Sequence, residues 1–490
     1  MVNACDLSAT KARLLIGTKQ LSPVELVDAC LARVAEVNAQ VNGVVAIDEP
    51  RARREAAAAE QAVMRGEPLG PLHGLPIAIK DLVDTEGLRT TYGSKRFADH
   101  VPVADESLVA ALRRAGGIVC MKTNTPEWGA GGNTFNPVYG VSGNPFAPPL
   151  TCGGSSGGSA IALATGMAPL ALGSDNAGSL RIPAALCGVV GMRPTAGLVP
   201  SEKRVVGLSH LHVDGPMART ARDVLLMLTC LATGDTRDAL AGRVDPALAA
   251  SAPPLDLSTL RVAHSADLGG FASIDPAIRH AFDDRIAAVG PIFRRSTAAA
   301  PDFTNADRVY EILRNVTYAG IWGERERQHP GQWGRLVGEN LRDAARFTIH
   351  DIGAAEVEFT RIYQGAQAFF AEHDLLILPT VAVSAWPKHA IYPARIDGRD
   401  VKSYVDWVRI TYAITLINHP CISIPCGVDQ HGIPFGLQLV APRHRDAFLL
   451  QAAMALEAVL ARDPRLQRPV PDLAWLARQP ADDPLGQPVA

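Results

Sequence analysis

The chain has 490 residues, 47% of them hydrophobic and 20% charged, which is the composition of a folded, core-forming protein and excludes a disordered one. Its 47 basic and 50 acidic residues form no long block of one sign, so nothing points to nucleic acid or an anionic membrane as a partner. Length alone suggests about three domains, although large α/β enzymes often exceed that scale in one unit.

The opening "MVNACDLSATKARLLIG" has no apolar core of signal-peptide length, and no later stretch reaches the roughly 18 uninterrupted apolar residues of a membrane span. Ser22, Pro23 and Glu25 predict a helix start: a cap, a first-turn proline and the reciprocal capping-box acid. "RARREAAAAEQAVMRG" predicts a second helix ended by Gly66. In "LHGLPIAIKDLVD" the run from Leu75 to Ile79 predicts a short apolar strand with a charge at its end. "SLVAALRRAGGIVCMKTN" reads helix, turn, strand, and also ends on a lysine, Lys122. This alternation argues for an α/β fold with a mostly parallel sheet. Asn133 to Pro149 is a loop rich in Asn, Gly and Pro.

"TCGGSSGGSA" (151–160) follows, and then a short apolar helix at about 158–165, a strand at about 168–173 and the turn "GSDNAGSLRIPA". Composition shifts at 250–265, a candidate boundary, and 275–370 reads as helical and Arg-rich. "DLLILPT" and "CISIPCG" return to strand character, and the last two dozen residues read as a polar surface tail. The eight cysteines are scattered without C-x-x-C spacing, as expected of reduced core residues in a cytosolic protein.

Four readings compete for the Gly–Ser stretch. A flexible linker would join separable units, but its flanks here are apolar and structured. A phosphate cradle would need G-x-x-x-x-G-K-[ST] or G-x-G-x-x-G, and neither spacing is met. A nucleophile elbow can be centred on Ser155 or Ser156, with His419 or His431 as a late histidine. Its lead-in, however, carries Pro145, Pro148 and Pro149, which cannot feed a central strand. The fourth reading is a backbone cage. Glycine lets N–H groups approach a reacting atom, and the following helix N-terminus favours a developing oxyanion. "SDNAGS" (174–179) has the same character, and Ser179 is either part of such a cage or a plain helix cap. Lys80 and Lys122, each ending a short strand, are equal candidates for a base on this reading.

"GLPIAIKD" (74–81), "GGSSGGSAIALATG" (153–166) and "GSDNAGSLRIPAALCGVVGMRPT" (173–195) resemble the amidase signature family of hydrolases. Weaker similarity runs from Ser22 to about Glu457 and is poor over 235–370. The resemblance implies a central mixed, twisted β-sheet with helices on both faces. It implies one domain over 1–490: a core at 70–215, a variable substrate-covering region at 235–370, a C-terminal sheet and helix at 371–460, and a surface tail at 467–490. It assigns Ser179 as nucleophile, Ser155 as bridging serine after a cis Gly154–Ser155 bond, and Lys80 as base. Backbone N–H groups of Asn176, Ala177, Gly178 and Ser179 would form the oxyanion hole. Trp128 and Gly129, in "EWGAGGN", would line the entrance.

A lysine base must be neutral, and burial depresses its pKa from about 10.4 in the required direction. The implied reaction is hydrolysis of carboxamides, anilides or related carbamates through an acyl-enzyme, with no metal or cofactor. Ala177 stands where the family usually has glycine, as in hydrolases of nylon-type cyclic amides. Cys152, His419 and Cys421 depart from the family's usual residues; they either shape the acyl pocket or serve packing, and packing is the favoured reading. The implied partner is a small-molecule amide, not nucleic acid or membrane, with a homodimer left open. The competing functions are the amidase-type subunit of a transfer-RNA-dependent amidotransferase and a non-catalytic scaffold.

Overall fold

A computed structural model describes residues 3–242, 244–248, 255–481, 483 and 485. The predicted helix start is formed: Ser22 Oγ accepts from the Val24 N–H at 2.9 Å and Glu25 accepts from the Ser22 N–H at 3.0 Å, opening the helix Pro23–Val41. The alanine-rich helix spans Glu49–Arg65 and stops at Gly66, whose φ of 71° suits a left-handed cap.

Eleven strands share one sheet: β1 (Val44–Ile47), β2 (Pro76–Lys80), β3 (Ile118–Thr123), β4 (Leu170–Asp175), β5 (Val190–Arg193), β6 (Val213–Ala218), β7 (Arg261–His264), β8 (Arg295–Ala298), β9 (Leu375–Pro379), β10 (Cys421–Val428) and β11 (Pro434–Val440). Their order across the sheet is β1-β3-β2-β4-β6-β5-β10-β11-β9-β7-β8. The pairs β2–β3, β2–β4, β7–β8 and β7–β9 are parallel. The remaining neighbours are antiparallel, so the sheet is mixed, and the expectation of a mostly parallel sheet is corrected. Helix–strand alternation marks the parallel units but is silent about β5, β6, β10 and β11, which meet as antiparallel neighbours.

Every residue of β2 to β6 is buried, so both faces of this part of the sheet are covered. The helices Gly157–Ala164 and Arg181–Cys187 pack on the sheet and on each other. Ala221–Leu231 and Asp446–Leu460 form a second such pair. The proline-rich lead-in does form a strand, Ala147–Thr151, but in a separate two-stranded ribbon. Its prolines keep it out of the central sheet.

The 275–370 segment holds the helices Pro276–Val289, Ala306–Gln328, Arg335–Ala344 and Ile349–Glu372. It also holds β8, an edge strand of sequence RSTA that no apolar alternation announces. Part of the 250–265 boundary, at 250–254, lies outside the described residues, as do 482, 484 and 486–490 of the tail. Within that tail Leu473–Leu476 is helical and Leu476 is fully buried, so this segment packs instead of trailing over the surface.

Candidate active site

Lys80 ends β2 and is fully buried. Its Nζ lies 2.6 Å from Ser155 Oγ, 3.0 Å from Ser156 Oγ and 3.0 Å from Ser174 Oγ. Burial pushes its pKa down from 10.5 to about 7, against opposing pulls from Asp214 and Asp175. An ammonium there would have three hydroxyl acceptors; a neutral amine would have a lone pair for a hydroxyl proton. Lys122 is also fully buried, yet it donates to the Val83 carbonyl and, at 3.3 Å, to Thr85. Burial brings it to about 8, but no serine is among its partners.

The register explains the split between the two lysines. Lys80 pairs with Thr123 across β2–β3, whereas Lys122 pairs with Ile79, one residue earlier. Side chains alternate between faces along a strand, so the two lysines point to opposite sides of the sheet. The Lys80 side carries Thr123, whose hydroxyl meets Ser159 of the helix Gly157–Ala164 at 2.7 Å.

The peptide bond Gly154–Ser155 is cis. A Cβ on Gly154 would lie 3.0 Å from backbone atoms of Gly132 and Asn133, so the close approach demands glycine. Ser156 opens the helix, donates to the Ser174 carbonyl at 3.2 Å, and its N–H donates to the Ser179 carbonyl at 3.2 Å. These bonds tie the Ser155–Ser156 turn to the Ser174–Ser179 turn, the two small-residue segments of the sequence.

Asp175, at the end of β4, organises the second turn. Its carboxylate accepts from the Gly178 N–H at 3.0 Å, the Leu180 N–H at 3.1 Å and the Arg181 guanidinium at 2.9 and 3.1 Å. Arg193 donates to the Asp175 carbonyl at 2.9 Å and approaches its carboxylate at 3.4 Å. Burial alone would raise this carboxyl; Arg181, Arg193 and the N–H donors more than reverse that and hold it well below the usual carboxylate range. The N–H of Gly178 is therefore already engaged, which corrects its assignment as an oxyanion donor. Among the described residues no acceptor engages the N–H of Asn176, Ala177 or Ser179. Tyr310 donates to the Asn176 side chain at 2.9 Å, and Thr411 donates to the Ala177 carbonyl at 2.5 Å.

Ser179, Asn176, Ala177, Gly129 and Gly154 line one small cavity of about 30 Å³, whose wall also includes Tyr310, Arg314, Tyr318 and Tyr404. A Cβ on Gly129 would lie 3.5 Å from Ser155 Oγ, so this glycine borders Ser155. Trp128 stands one residue back from the wall. It stacks on Tyr92 at 4.6 Å and meets the edges of Phe97 and Trp322.

The two histidines of the elbow reading sit elsewhere. His419 pairs with Gln367 and the Ile417 carbonyl, and burial lowers it to about 4. His431 is exposed beside Gln430. Sequence reasoning missed the roles of Ser156, Ser174, Asp175, Arg181 and Arg314. The first four lie inside the quoted motifs, where residue type alone gave them no task.

A family profile described as Amidase matches residues 25–450. An acylamidase of Rhodococcus erythropolis is 36% identical over 486 residues, covering 97% of this chain and 97% of its own. A glutamyl-tRNA(Gln) amidotransferase subunit of Thermus thermophilus is 34% identical, covering 93% and 97%. Among solved structures, a 6-aminohexanoate cyclic dimer hydrolase superposes with a TM-score of 0.79 at 27% identity over 97% of this chain and 100% of its own. A bacterial aryl acylamidase shares the fold with a TM-score of 0.84 at 24% identity, over 98% and 99%. The chain belongs to the amidase family, whose signature motifs it carries, and it is an amide-hydrolysing enzyme.

Proposed function

We propose that the enzyme cleaves carboxamides and anilides through an acyl-enzyme on Ser179, with Ser155 and Lys80 relaying the proton. The observation that carries this is the buried Lys80 Nζ at 2.6 Å from Ser155 Oγ, directly behind Gly129 and Gly154, which line the cavity together with Ser179. Neutral Lys80 takes the Ser155 hydroxyl proton while Ser155 takes that of Ser179. Ser179 Oγ bonds to the carbonyl carbon, and the carbonyl electron pair moves to oxygen. The N–H groups of Asn176, Ala177 and Ser179 stabilise that oxyanion. As the C–N bond breaks, Ser155 delivers a proton to the leaving nitrogen and recovers its own from Lys80. Water then enters by the same relay, releases the acid and restores Ser179.

The acylamidase relative supports acyl amides as the substrate class. The cyclic-dimer hydrolase supports access for bulky amides. All eight cysteines are free and seven are buried, which supports a reducing, cytoplasmic location. No described helix is long and apolar enough to cross a membrane.

The test is labelling with a broad serine-reactive phosphonate followed by peptide mapping. A tag on Ser179 is expected. A tag on Ser155 or Ser156 would overturn the assignment. Similarity to amidotransferase subunits carries a second reading, in which glutaminase activity would rise when partner subunits are added.

A further inference from the structure

Arg314 is the only charged residue among those lining the cavity that holds Ser179. It is 6% exposed, and no carboxylate of the described residues lies within salt-bridge distance of it. One guanidinium nitrogen, Nη1, donates to Asn340 Oδ1; the other, Nη2, is buried with no hydrogen-bond partner. The rings of Tyr318 and Tyr404 sit 4.7 and 4.8 Å from its central carbon.

Beyond Arg314 opens a second cavity of about 340 Å³, sharing Tyr310, Arg314 and Tyr404 with the first. Acids line it, but each is held by an arginine other than Arg314: Glu311 by Arg308, Glu339 by Arg335, Asp343 by Arg346, and both Asp307 and Asp406 by Arg409. Arg314 alone is left uncompensated. A buried guanidinium without a counter-charge is costly, and Arg presents a fork that matches a carboxylate. Tyrosine rings beside it restrict its rotation and exclude water without neutralising it.

We propose that Arg314 is the subsite for a substrate carboxylate, so that the preferred amides are anionic and carry a carboxyl group remote from the scissile bond. The inference rests on the Ser179 reading above, since Ser179 and Arg314 share one cavity. The carboxylate can belong to the acyl part, as in a dicarboxylic acid monoamide, or to the amine part, as in an acylated amino acid.

Substrate pairs separate the two sources: succinic mono-4-nitroanilide against butyric 4-nitroanilide for the acyl side, and 4-acetamidobenzoate against 4-methylacetanilide for the amine side. In one pair the carboxylated member should have a kcat/KM about tenfold or more higher, expressed mainly in KM. In Arg314→Gln that ratio should fall to near one, and Arg314→Lys should recover part of it. Where neither member turns over, the same comparison is read as protection of Ser179 from phosphonate by glutarate against its neutral diamide. Equal values within every pair, or a preference that survives Arg314→Gln, would overturn the proposal. The wild-type ratio needs no variant to fold. A Ser179 tag alongside equal ratios would sink only this subsite, whereas a missing tag would sink the mechanism itself.

Discussion

Among the described residues no carboxylate is hydrogen-bonded to the Lys80 ammonium; its three partners are hydroxyls. A hydroxyl stabilises the charge less than a carboxylate would, so burial prevails and the pKa settles at about 7. The reactive form is the deprotonated one. It accumulates as pH rises through 7, so kcat/KM should climb about tenfold per pH unit below that point and level off above it. A profile flat from pH 5 to 9 would remove Lys80 as the base. Ser174 supplies a finer check. Its hydroxyl accepts from the ammonium, so Ser174→Ala withdraws support from the charged form and lowers the pKa further. The acid limb should move about half a unit to lower pH, roughly 0.7 kcal/mol, with the plateau rate read from the same profile. A shift in the opposite direction would mean that Ser174 serves the neutral amine instead.

The turn between β4 and the helix Arg181–Cys187 is an element built around one buried ion cluster. Removing the charge of Asp175 leaves Arg181 and Arg193 buried without it and deprives one of the two turn N–H groups of its acceptor, since the amide keeps a single oxygen. Asp175→Asn should therefore cost about 3–5 kcal/mol, visible as a lower urea midpoint, together with loss of Ser179 labelling. An unchanged midpoint would mean that the cluster contributes no net stability.

Much of this element was legible. In "SDNAGSLR" residue type alone did not single out the Asp175–Arg181 pair, but these eight residues name the turn and its nucleophile candidate, because those features are local. The capping box at Ser22 was legible for the same reason. The grip on the turn from outside was not: Thr411 and Gln438 each hold Arg181 from more than 200 residues away, and Tyr310 reaches Asn176 across 134. Lys80 and Lys122 were indistinguishable by residue type and pattern because each closes the apolar run of one of two adjacent strands. Only the one-residue difference in register sends them to opposite faces. The engagement of the Gly178 N–H escaped too, since residue type does not say which amide a carboxylate will claim.

Across the whole molecule, the sheet is closed by its last-made strands. β10 and β11 lie between β5 and β9, so residues 421–440 join the half that carries Lys80 and Ser179 to the half that ends in β8. The helix Arg409–Leu416, just before them, supplies Thr411 to the turn. A chain ended after Asp400 should therefore be insoluble and take no phosphonate on Ser179, although every residue of the relay is present. Recovery of a soluble, labelled fragment would show that the first half is a folding unit of its own.

The same placement sets a timetable during synthesis. At about 5–20 residues per second, β10 leaves the ribosome roughly 10–40 s after β6. Through that interval β5 stands as an unpaired edge in the middle of a hydrophobic sheet, open to pairing with any neighbouring chain. Expression yield should thus depend on holdase chaperones and on translation speed downstream of residue 218, rather than on the stability of the finished enzyme.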